Sequence, residues 1–271
     1  PIIGGQAVKG PTTKIMSEIA LPSTASAVAN YYGELLDAVD LRHKHFHDHG
    51  CRISDHGIQE LYAEEFSDRS MFAVFDQIRL GVAQPSLNVK LVCTHAGLLT
   101  GEDGISAQSI EDLALMLSLP TMTVITPSDA EETALAVRAA ADLKGPVYIR
   151  LVRPATPMVH RGSCEFELGK AEALKDGTDV GILACGSMVS TALEAANLLS
   201  NEDISAAVLN IHTLHPVDDG AIARIARATG ALVTAEEHYV HGGLGSLVAS
   251  VVGSACPVPI ETVGVRQYAE S

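Results

Sequence analysis

Tryptophan is absent and aromatic residues make up only 4% of the 271-residue chain, so its interior cannot rest on large stacked rings. The five cysteines, Cys51, Cys93, Cys164, Cys185 and Cys256, are odd in number, far apart and never spaced as CxxC. That excludes a disulfide framework and fits a reducing, cytoplasmic compartment. Basic residues are scarce: 18 Lys and Arg stand against 33 Asp and Glu, a net charge of -15. Such a surface repels nucleic acid, while leaving room for a local basic pocket for one phosphate. No apolar run approaches the roughly 20 residues of a membrane span, and the first residues lack the charged-then-apolar order of a signal peptide. With Pro1 in first place, the chain reads as a fragment or a processed product.

Small apolar residues are abundant instead. Hydrophobic residues reach 47%, and alanine, valine and leucine dominate, as in α/β proteins with buried parallel strands. The length suffices for a large core and predicts two domains. Three segments can be told apart. Residues 1–66 open loosely with Gly4, Gly5, Gly10 and Pro11. A helical pattern follows, in which Ala27, Val28, Tyr31, Leu35, Leu36, Val39 and Leu41 recur at three- and four-residue steps. Residues 67–160 predict strands over 89–94, 123–126 and 147–151. They also predict helices over 109–117 (N-cap Ser106) and 130–141 (N-cap Ser128). Residues 161–271 predict strands over 180–184, 206–211, 231–235 and 260–263, with helices over 189–199, 219–228 and within 242–253. The fold class is therefore α/β, with two doubly wound, mainly parallel-sheet domains behind a helical N-terminal segment. The polar stretch from Arg153 to Gly169 reads as their linker.

Ligands of open parallel sheets sit beyond the carboxyl ends of the strands. His95 falls there, and the glycine-rich loop it opens carries Glu102 and Asp103. A histidine and an acid beside glycine backbone suit proton transfer or hydroxyl recognition; a capping histidine and a solvated turn acid are the plainer roles.

The wording of the loop is more specific than its composition. Asp76 to Asp112 reads DQIRLGVAQPSLNVKLVCTHAGLLTGEDGISAQSIED, followed by MTVITPSDAE (Met122 to Glu131) and PVYIRLVRP (Pro146 to Pro154). This resembles the pyrimidine-binding domain of transketolases, in the form split into two chains. The third segment resembles the transketolase C-terminal domain through ILACGSM (Ile182 to Met188), HTLHPVD (His212 to Asp218) and EEHYVHGGLGS (Glu236 to Ser246). The resemblance implies thiamine diphosphate as cofactor and transfer of a two-carbon ketol unit between sugar phosphates of the pentose phosphate type. It implies that His95 faces the reactive carbon and substrate hydroxyls, that Asp103 binds the hydroxyl next to the carbonyl, and that Arg153 holds the sugar phosphate. Phe72 and Phe75 would flank the aminopyrimidine ring; both could equally be core, and Arg153 a surface ion-pair partner.

Departures from the family pattern bear on activity. Ala107 stands where many members have a histidine. The GIxEQ-like motif, whose glutamate activates the aminopyrimidine, is not recognisable before Phe72, and a few residues of a helix are missing between Phe75 and Asp76. The GDG motif and asparagine that bind the diphosphate through a metal are absent as well. The chain assigns no metal ligands of its own; the resemblance implies an N-terminal, thiamine-diphosphate-binding partner chain that supplies Mg2+. A homo- or hetero-oligomer such as a dimer, and an inactive isolated chain, are the resulting expectations.

Between His43 and His56, four histidines at alternate positions (His43, His45, His47, His49) precede Cys51, Asp55 and His56. These are transition-metal ligand types, though on a helix such spacing scatters them and a solvated helix end is the plainer role. The stretch Leu41 to Gly57 also resembles a short piece of uronate isomerase, a metal-dependent (β/α)8-barrel enzyme that needs at least about 200 residues to close. The chain thus reads as a hybrid. Alternative functions are a non-catalytic α/β dimerisation subunit, a deoxyxylulose phosphate synthase-like enzyme, a ketoacid dehydrogenase β subunit, or an isomerase fragment.

Overall fold

The computed structural model describes residues 75–267, apart from 105, 106, 161, 163 and 165. Phe72, Ser106, the helix expected near residues 23–41 and the histidine-rich stretch lie outside the described residues.

Short β-rich runs alternate with helices and assemble into two sheets. The first contains β1 (Lys90–Cys93), β2 (Thr123–Ile125) and β3 (Val147–Arg150), with β3 buried at every position between parallel β1 and β2. Lys90 pairs with Val147 and Thr123 pairs with the same residue from the other side. The second holds β4 (Glu172–Lys175), β5 (Val180–Ala184), β6 (Ala206–Asn210), β8 (Leu232–Tyr239) and β9 (Ile260–Val265), in the order β4-β6-β5-β8-β9. Its pairs are parallel except β4 with β6. Strand β7 (Thr213–His215) leaves the second sheet's chain region and closes the first one, antiparallel to β2. Both sheets are therefore mainly parallel, as expected.

Helices α1 (Asp112–Leu117) and α2 (Ala130–Asp142) serve the first sheet; α3 (Met188–Ser200), α4 (Asp219–Thr229) and α5 (Leu244–Ala255) follow in the second region. Two caps differ from expectation. Helix α1 starts at Asp112 after Glu111, not near Ser109. Ser109 is held in a bridge to Ala96, and its carbonyl accepts the Gly97 N–H at 2.7 Å, so it serves the glycine-rich loop. Asp129, not Ser128, caps α2: it is extended and accepts the Glu132 N–H at 2.9 Å. Ser128 instead donates its N–H and hydroxyl to Glu132 at 2.6 and 2.7 Å, the reciprocal half of a capping arrangement. Helix α4 obeys the simplest rules, with Asp218 accepting the Ala221 N–H and Gly230 left-handed at its end.

One core joins the two regions. Leu113, Met122 and Tyr148 from the first pack in the same cluster as Leu183, Ile211, Leu214, Ile222 and Leu244 from the second. Fully burying each such side chain contributes about 1.5–3 kcal/mol. Among the described residues, no helix is long and apolar enough to cross a membrane.

Candidate active-site half

Strand β1 ends at Cys93, and the chain turns sharply beyond the carboxyl ends of the parallel strands. His95 adopts φ 67°, a left-handed conformation unusual outside glycine. Three contacts hold it there. Thr94 Oγ1 lies 2.8 Å from its Nδ1, its carbonyl accepts the Thr100 hydroxyl at 2.7 Å, and the Ala96 N–H that follows donates to the Leu151 carbonyl at 3.1 Å. The imidazole itself is exposed.

The loop then winds into a 3-10 helix (Leu98–Asp103) flanked by Gly97 and Gly104, both with φ near +80°, which residues other than glycine rarely adopt. Asp103 stands at the end of this turn. The exposed Arg153 lies on the segment after β3, and its Nη1 donates to the Thr100 carbonyl at 3.3 Å. Thr100, buried, thus links His95 through its hydroxyl and Arg153 through its carbonyl. Three of the predicted site residues accordingly sit on one loop cluster at the strand ends. Phe75 sits elsewhere: it lies in the helical residues 75–78, is half-buried, and packs against the main core.

Several residues that fix the loop were not singled out from the sequence. Glu237 of β8 is 8% exposed and spans two regions. One oxygen accepts the Leu99 N–H at 2.6 Å and the other the Ser187 hydroxyl at 2.5 Å. Gly97 is obligatory beside it, because a Cβ there would run into the Glu237 carboxylate. Beneath the loop, Arg150 donates to Asp112 at 2.8 Å, to the Glu237 carbonyl at 2.9 Å and to the Ser109 carbonyl at 3.2 Å. Burial opposes its charge, but the Asp112 carboxylate outweighs it and raises the guanidinium pKa. Tyr148 donates to the same Asp112 oxygen at 2.7 Å; burial first, then that carboxylate, push its phenol far up. The EEH run in the sequence was the available signal for Glu237, but its purpose depends on a contact 138 residues away.

The chain is thus a mainly parallel α/β protein that presents a glycine-rich loop at its strand ends, held from β8 by the Glu237 carboxylate. Residues 50–158 match the family model described as "Transketolase, pyrimidine binding domain", and residues 169–271 match "Transketolase, C-terminal domain". The chain is 43% identical over 205 residues to the 6-deoxy-6-sulfo-D-fructose transketolase subunit SqwH of Clostridium sp., covering 76% of this chain and 64% of that protein. It is 41% identical over 196 residues to a putative transketolase C-terminal section of Methanocaldococcus jannaschii, covering 72% and 61%. A solved structure described as "Split gene transketolase, inactive beta4 tetramer" aligns with a TM-score of 0.69 at 47% identity, over 73% of this chain and 64% of that one. The chain belongs to the transketolase family and corresponds to its C-terminal half.

The chain spans less than two thirds of the length of these relatives. The pyrimidine-binding match begins at residue 50, upstream of the residue 67 at which the resemblance was placed. The resemblance of Leu41 to Gly57 to uronate isomerase falls outside the described residues, and nothing in these comparisons supports it. Members of the transketolase family bind thiamine diphosphate. The described residues fit that group only in part. They supply a polar loop at the strand ends, and Phe75 is half-buried against the main core.

Proposed function

We propose that this chain is the C-terminal subunit of a split transketolase, presenting His95, Asp103 and Arg153 to a sugar phosphate at a junction with an N-terminal subunit that binds thiamine diphosphate and Mg2+. The observation that carries this reading is the bonding of Thr100 to both the His95 carbonyl and Arg153, which ties the glycine-rich loop to the segment after β3 at the strand ends. Bound thiamine diphosphate would supply the nucleophilic carbon for ketol transfer. This chain's own part is narrower. His95 offers an exposed imidazole to substrate hydroxyls, and Arg153 offers a planar fork to a phosphate. Asp103, at the end of the turn, would take the hydroxyl beside the carbonyl.

The missing cofactor elements lead to a further statement: the isolated chain does not turn over. A self-associated, non-catalytic form is the second reading, favoured by the likeness to an inactive β4 tetramer and by apolar surface on β1 and on the turn that follows it. Val92, Leu98 and Leu99 are 36%, 40% and 46% exposed there, and such surface is ordinarily covered.

Arg153→Ala tests the site directly. A charge-assisted contact contributes about 1.5–3 kcal/mol, so in the assembled two-chain protein the variant should bind a sugar phosphate about 10- to 100-fold more weakly, while binding the dephosphorylated sugar unchanged. Equal losses for both sugars, or none for either, would remove Arg153 from phosphate recognition.

A further inference from the structure

We infer that Glu132, His160 and Glu172 form a binding site for one divalent transition cation of the Zn2+ or Mn2+ class, separate from the glycine-rich loop and at the junction of the two matched domains. Glu132 lies in the first turn of α2, His160 in the connecting segment, and Glu172 at the start of β4. One ligand atom from each lies within 4.8 Å of the others. Glu132 and His160 are 0% and 4% exposed. The Glu172 side chain is 25% exposed, which gives the cation a way in.

Histidine orientation is the first argument. Asp129 Oδ2 lies 2.9 Å from His160 Nδ1 and also accepts the N–H groups of Val159 and His160 at 2.9 Å each. That carboxylate holds one ring nitrogen, and the other, Nε2, is hydrogen-bonded to Glu172 at 2.7 Å, a bond that a cation would replace. A carboxylate on the far nitrogen is the support that metal-bound histidines ordinarily have. The second argument comes from the residue beside Glu132. Asn210 is fully buried, and its Nδ2 donates to Glu132 at 2.8 Å, but the Oδ1 of the same amide has no partner. Buried carbonyl oxygens are seldom left so; a water completing the coordination sphere beside Glu132 would donate to it.

Donors around zinc, at about 2.0–2.2 Å from it, lie roughly 3–3.5 Å apart. The close His160–Glu172 pair would open slightly and the widest pair close by roughly 1–2 Å, within reach of rotation at the half-open Glu172. An imidazole with two carboxylates favours Zn2+ or Mn2+ over Ca2+ or Mg2+. Bound there, the ion ties α2, the connecting segment and β4 together. No spacing motif announces it, since the three ligands are separated by 28 and 12 residues in sequence.

The test uses the full chain and Zn2+, in a background with His43, His45, His47 and His49 changed to Ala so that the histidine-rich stretch does not contribute. Calorimetric titration should find one Zn2+ per chain, and melting should rise by roughly 5 °C with free Zn2+ a hundredfold above its Kd. Glu172→Gln, at a partly exposed position, should fold normally, weaken binding at least tenfold and abolish the rise in melting temperature. A background chain that binds no Zn2+, or a Glu172→Gln chain that binds and melts like its parent, would overturn the inference. His160→Asn, if it folds, should behave like Glu172→Gln.

Discussion

At the scale of single residues, the chain's histidines illustrate how burial decides role. His95 lies exposed at a strand end, while His212 is 1% exposed, 4.4 Å from the Phe166 ring and bonded to Thr213 Oγ1 at 2.9 Å. Burial, then the charge of His160, lowers the His212 pKa to about 4. The sign follows directly. Between its unfolded value near 6.5 and about 4, the unfolded chain binds a proton that the folded chain refuses, so stability falls as pH falls through that window. A shift of that size corresponds to about 3 kcal/mol. His212→Asn should flatten the acid limb of a stability–pH curve measured by urea unfolding. An unchanged slope between pH 6.5 and 4 would show that His212 does not control it. His160 acts oppositely: its pKa is raised despite burial, by Glu172 and Asp129, so its contribution is complete below the unfolded value and is lost as pH rises through the folded one.

At the scale of elements, the glycine-rich loop depends on β8. The Glu237 carboxylate takes the Leu99 N–H and the Ser187 hydroxyl, and Gly97 leaves room for it. Gly97→Ala would impose a left-handed alanine and a collision together, a cost of about 2–4 kcal/mol. Urea unfolding should show that loss, with weakened sugar phosphate binding in the assembled protein; a variant of parental stability would mean the loop is not locked this way. Elements with strong local signals were legible in the sequence. The β5 strand was read to the residue, and α3, α4 and β6 within a residue or two, because continuous apolar runs and clear caps delimit them. Strands β4 and β7 were not read. Each is three or four residues long and is defined by an antiparallel partner distant in sequence. The α1 start was misplaced because Ser109 answers to the loop, a tertiary bond no local pattern carries. That His95 follows one strand of the first sheet and Arg153 another was legible in the sequence, whereas the contacts of Glu237 and of the Glu132–His160–Glu172 group were not, since only folding brings their parts together.

At the scale of the whole molecule, the two matched domains share a core and a strand: Leu113 and Tyr148 pack in one cluster with Leu214 and Leu244, and β7 completes the first sheet. Such a body can hold a loop rigid for a partner to complete. The central claim is that this chain is one half of a transketolase site and lacks the other half's chemistry. It is tested most directly by ketol transfer from a ketose phosphate, measured with this chain alone and with a thiamine-diphosphate-binding N-terminal chain added. The account predicts no turnover alone; with the partner it predicts cofactor binding but turnover reduced by about 10²- to 10⁴-fold, the usual consequence of losing a positioned acid–base group. Robust turnover by this chain alone would contradict it, and would direct attention to Glu60, Glu64 or Glu65 as the activating carboxylate.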